Sequence, residues 1–159
     1  MQRLGFASAL AFMCLSALVI GCGGGDGLKL VPVQGTVTVG GSEPFSEGIV
    51  MFVPNDATKR GATGVTDEQG NFQLKHPSQR LGIEPGDYRV CFSLMKLPDG
   101  SPLPDQEGEA DPKSPLELGG VQFVPVEYSA LTSTKFPAKV DATGGSFEFN
   151  IPALLPPRQ

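Results

Sequence analysis

A single histidine, His76, stands in 159 residues, and cysteine occurs three times, at Cys14, Cys22 and Cys91. One imidazole supplies no ligand set for a histidine-based zinc centre and no partner for paired acid–base work. Basic side chains are also few: 12 Lys and Arg against 17 Asp and Glu give a formal charge of −5. That balance argues against nucleic acid and against docking on anionic lipid headgroups. Strong helix signals are scarce. Glycine and proline are plentiful instead, at 21 and 15 residues, and that composition predicts an all-β chain with many turns.

The N-terminus carries one positive side chain, Arg3, then an apolar stretch from Leu10 to Ile20 broken only by Cys14 and Ser16. The stretch has secretory length and falls short of the roughly 20 apolar residues of a spanning helix. It ends on Val19-Ile20-Gly21-Cys22, which resembles a bacterial lipobox: two aliphatic residues and one small residue before a cysteine. The thiol accepts a diacylglyceryl group, and only a small residue fits at the cut before it. Gly23-Gly24-Gly25-Asp26-Gly27 then reads as a flexible tether. These features predict a lipoprotein signal peptide over residues 1–21, lipidation with palmitate-type chains at Cys22, and a tether over 22–30. Several chains on one residue anchor firmly where a single chain binds reversibly. Gly23 after the cysteine, in place of Asp, favours outer-membrane delivery. Cleavage removes Cys14 and Arg3, so the mature chain keeps Cys91 as its one unmodified thiol and forms no intrachain disulfide.

Beyond the tether the period is two. Val33, Val37 and Val39 alternate with Gln34, Thr36 and Thr38. Ile49–Val53 is apolar on both faces and ends at Pro54. Gly64–Thr66 and Asn71–Lys75 flank a turn, Asp67-Glu68-Gln69-Gly70, in which Gly70 takes positive φ. Pro85-Gly86 carries a type II turn signature. After it Tyr88, Val90, Phe92 and Leu94 share one face. Residues 96–120 hold five prolines and no period, and predict a long exposed loop. Lys135–Asp141 and Phe147–Ile151 close the pattern around Gly144-Gly145, and the tail 153–159 follows Pro152. About seven short strands over residues 31–152 predict a single β-sandwich.

Four segments in order resemble the carboxypeptidase regulatory-like, transthyretin-like domain of small bacterial envelope lipoproteins. They are Gly35/Val37, Val50/Phe52, Thr66/Asp67/Gly70/Phe72 and Pro85/Gly86/Tyr88/Val90. The resemblance implies a prealbumin-like Greek-key sandwich and a non-catalytic folding, adhesion or display role. Related hydroxyisourate hydrolases use several histidines and a C-terminal Tyr-Arg-Gly-Ser, which this chain lacks. Adhesin-type relatives cross-link a first-strand lysine to a last-strand asparagine. Asn150 is present, but Val33–Val39 has no lysine.

The remaining chemistry is sparse. His76, beside Pro77, is expected to be solvated, and Cys91 to be a quiet thiol. The acids from Asp99 to Asp111 lack calcium-loop spacing. The expectation is a non-enzymatic, lipid-anchored envelope protein with no cofactor and no metal. Its partners are the membrane, through Cys22, and an envelope protein or glycan. The alternative is a carbohydrate- or peptide-binding module that uses the 96–120 loop.

Overall fold

The structure is a computed structural model and describes residues 27–157. Cys22, its leader and most of the tether lie outside the described residues. The described chain is mostly β, with ten strands and one short helix.

The strands are β1 (Val33–Val39), β2 (Glu43–Pro44), β3 (Ile49–Pro54), β4 (Ala62–Val65), β5 (Asn71–Gln73), β6 (Gly86–Ser93), β7 (Met95–Lys96), β8 (Val121–Gln122), β9 (Phe136–Val140) and β10 (Gly145–Ile151). Three of them, β2, β7 and β8, are two residues long. The helix α1 spans Val126–Ser129. In the first sheet β1 is central. It pairs with β10 in parallel along seven positions, and with β5 and β2, both antiparallel, on its other edge. The second sheet runs β4-β3-β6-β9, antiparallel throughout. The chain changes sheets at the β2–β3, β4–β5, β5–β6 and β9–β10 connections.

Alternation decides which face of each strand turns inward. Val33 and Val37 of β1, Val50 and Phe52 of β3, and Tyr88, Val90 and Phe92 of β6 are buried from both sheets. Phe52 lies at the centre. Its ring meets Phe72 of β5 and Phe147 and Phe149 of β10 across the gap, and Tyr88 beside it, with centroids 5.5–6.2 Å apart. Phe149 also contacts Phe92 and Phe136, so one aromatic layer joins the two sheets.

The Asp67–Gly70 turn forms as its sequence directs. Gly70 stands at φ 78°, and the Asp67 carboxylate accepts the N–H groups of Gln69 and Asn71. Those bonds, from Asn71 above all, hold the Asp67 carboxyl below its ordinary range. Pro85-Gly86 departs from expectation. Gly86 is at φ 159°, not the roughly +80° of a type II turn, and it opens β6 opposite Val140. The corner is closed by a side chain instead: the Tyr88 hydroxyl donates to the Glu84 carbonyl at 2.6 Å. Burial first, with Glu84 and Asp56 adding, pushes the Tyr88 phenol up to about 12, so the donor proton stays in place.

Other differences have local causes. Ile49, expected inside, is 40% exposed, because it lies on the face of β3 opposite buried Val50 and Phe52. The strand expected over 71–75 ends at Gln73; Lys75 makes isolated bridges to Thr63 and Leu81. Phe45, which carries no periodic signal, is buried against Phe92 above Gly48. The 121–135 stretch forms β8, α1 and a turn that lies against β6, where the Thr134 hydroxyl donates to the Val90 carbonyl and Arg89 to the Leu131 carbonyl.

Candidate functional site

Two regions carry polar groups whose placement the packing of the core does not dictate. The first is the excursion 97–120, which leaves from β7 and returns through β8. It is mostly exposed, as its prolines predict, but it is tied within itself. The Gln106 side chain donates to the Lys113 carbonyl at 2.9 Å and accepts the Lys113 N–H at 2.6 Å. Glu117 accepts both the N–H and the hydroxyl of Ser114, and this holds its carboxyl below the ordinary range. Gly120 closes the segment by donating to the Pro115 carbonyl. Between these ties is an open cavity of about 230 Å³ lined by Pro104, Asp105, Gln106, Glu109, Asp111, Lys113 and Leu118. Its carboxylates, amide and ammonium offer hydrogen bonds to a polar ligand, and Pro104 and Leu118 add apolar surface beside them.

The second region surrounds His76, where β5 gives way to the turn His76–Arg80. The expectation of a solvated imidazole is overturned: His76 is 2% exposed. It follows Lys75, which bridges to Thr63 on the other sheet. Nδ1 receives the Ser78 N–H at 3.2 Å and lies 2.9 Å from the Ser78 hydroxyl. A ring nitrogen that accepts a backbone N–H is unprotonated, so the neutral ring carries its proton on Nε2. Nε2 is buried and has no hydrogen-bond partner. Beside the ring lies an open cavity of about 400 Å³, lined by Leu28, Arg60, His76, Pro77 and Ser78. Nothing in the local sequence signalled this burial, because Pro77 and Ser78 read as an exposed turn.

The structure brings the other candidates to no common point. Cys91 is fully buried on the covered side of β6, and burial pushes its thiol up, which suits an inert cysteine. Asn150 faces outward from β10 and accepts the Gly41 N–H at 2.7 Å. Cys22, the predicted lipidation site, lies outside the described residues. Among the described residues no group of three or more His, Cys, Asp or Glu is placed to hold a metal ion, and no helix is long and apolar enough to cross a membrane. Compared with known protein families, curated proteins and solved structures, the chain finds no match.

Proposed function

We propose that this chain is a lipid-anchored cell-envelope protein whose β-domain, a transthyretin-like Greek-key sandwich of the carboxypeptidase regulatory-like type, has a structural or interaction role. The observation that carries the reading is Val19-Ile20-Gly21-Cys22, followed at once by a glycine tether that runs into β1. Two sheets closed over one aromatic core support the sandwich part of this assignment. Cys22→Ser tests the anchor. The variant is expected to lose all acyl mass and to move from the membrane to the soluble fraction. Membrane retention of native protein that carries no acyl mass on Cys22 would overturn the reading.

The organised 97–120 excursion, with its own cavity, favours a second reading as a carbohydrate- or peptide-binding element. Replacing residues 98–118 by a short Gly/Ser linker separates the two. The excursion contributes little buried core, and changing the length of a surface loop alters closure entropy by only about 0.6 kcal/mol per doubling. Stability is therefore expected to stay within about 1 kcal/mol of the parent in denaturant melts. Partners recovered from solubilised envelopes should survive the replacement if the domain is a scaffold, and disappear if the excursion binds them.

A further inference from the structure

A sheet edge is a row of backbone donors and acceptors without partners, and proteins blunt such edges with short strands, proline or lysine. The first sheet ends in β10 on one side and in β2 and β5 on the other; the second ends in β4 and β9. Most of these edges are blunted. β2 is two residues long and ends on Pro44, β5 and β4 are three and four residues long, and β9 carries Pro137 and Lys139. β10 differs. It runs seven residues, Gly145–Ile151, with no proline and no lysine, and its register on β1 is continuous.

The bonds to β1 fix which way its backbone groups point. The Gly145 N–H donates to the Pro32 carbonyl, and the Ile151 carbonyl accepts the Gly40 N–H. Alternation along the strand therefore turns Gly145, Phe147, Phe149 and Ile151 toward β1, and the N–H and C=O groups of Ser146, Glu148 and Asn150 toward the open side. Among the described residues no backbone hydrogen bond meets those three from that side. A side chain reports the same opening. Phe147 points into the core, stacked on Phe149 and edge-on to Phe52, yet it is only partly buried, whereas Val33 and Val37 on neighbouring β1 are 0% exposed. An added strand would therefore cover an aromatic flank with a polar residue on either side of it.

We propose that the open edge of β10 pairs with β10 of a second copy of this chain, antiparallel, about a two-fold axis at Phe147. The occupant follows from the strand itself. That axis sets Ser146 of each copy opposite Glu148 of the other, on the side where both have unpaired backbone groups, and each such pair exchanges two hydrogen bonds. The two Phe147 side chains then meet on the inner face at the closer, non-hydrogen-bonded spacing and cover one another, a favourable cross-strand pair. No charge faces a like charge. An axis at Glu148 would instead set two carboxylates against each other. The contact is isologous and uses the one long unblunted edge, so it closes at two copies and does not propagate. The pairing stands whether or not Cys22 is lipidated.

Disulfide trapping and sedimentation of the full-length protein test the pairing. Ser146→Cys/Glu148→Cys is expected to form a linked dimer on oxidation, because the Cα atoms of a hydrogen-bonded pair stand about 5.5 Å apart, within disulfide reach. Neither single variant should link, since its new thiol faces a glutamate or a serine of the other copy, and Cys91 is buried. In sedimentation the parent is expected to be a dimer that dissociates on dilution. Ser146→Lys/Glu148→Lys is expected to be a monomer, because each new lysine faces another. Both positions are exposed, so the circular dichroism of this variant is expected to match the parent's. Linking by Glu148→Cys alone, or a folded lysine variant that still sediments as a dimer, overturns the pairing about Phe147. A parent that is monomeric at every concentration overturns it too, and leaves the edge to a strand of a different protein.

Discussion

Phe52→Ala is expected to lower the unfolding free energy by about 3–5 kcal/mol, the usual cost of removing a fully buried aromatic ring. The upper end of that range is favoured by geometry. The ring of Phe52 is 0% exposed and meets four other aromatic rings, two of them edge-on from β10. Such contacts add about 0.5–1.5 kcal/mol each beyond area burial. The surrounding strands are held in register by two sheets, so the void has little freedom to collapse. A domain of ordinary stability, about 5–15 kcal/mol, would lose a large share of it. Denaturant melts of the two proteins check this; a loss under about 1 kcal/mol would show that Phe52 is not at the centre of the core.

Gly35→Ala is expected to be destabilising by about 3 kcal/mol, at the upper end of overpacking penalties. Glycine within a strand usually costs stability, and exchange for alanine usually recovers about 0.5–1 kcal/mol. Here the sign reverses. Gly35 sits opposite Phe147 on one side and Phe72 on the other, and a Cβ would stand 2.0 Å from the Phe147 carbonyl oxygen and 2.8 Å from the Phe72 ring. The obstructing atom is backbone in a continuous ladder, so relief requires β10 to move from β1. Gly41→Ala is the control. Gly41 stands at φ 86° with nothing within 4 Å of a Cβ, so only a conformational cost of roughly 1–2 kcal/mol applies. If both variants melt alike, the β1–β10 contact at Gly35 is not as close as described.

The sequence signal was strongest where a strand buries one face. Val33–Val39, Tyr88–Leu94 and Phe147–Ile151 show a period of two because their alternate side chains enter a single core, and β1, β6 and β10 lie there. Gly70 was legible because a four-residue turn fixes its own φ. Signals failed where distant segments decide. His76 is buried although its own dipeptide, His76-Pro77, reads as an exposed strand end. Phe45 finds Phe92 across 47 positions of chain, and α1 is too short for a helical period to show. The resemblance singled out Gly35 without giving its reason; the reason is the carbonyl of Phe147, more than a hundred residues later.

The parallel pairing of β1 with β10 sets the mechanical character of the domain. The chain enters β1 at the tether end and leaves β10 at the other, with seven residue pairs between. A pull between Leu28 and Leu155 draws the two strands past one another along their length. Their hydrogen bonds then bear the load together, in shear, whereas those of a peeled hairpin break in succession. The strands would have to slide against the full set before the core opens. Resistance of this kind is governed by the barrier to unfolding and not by equilibrium stability. A module built this way resists tension applied between its two ends.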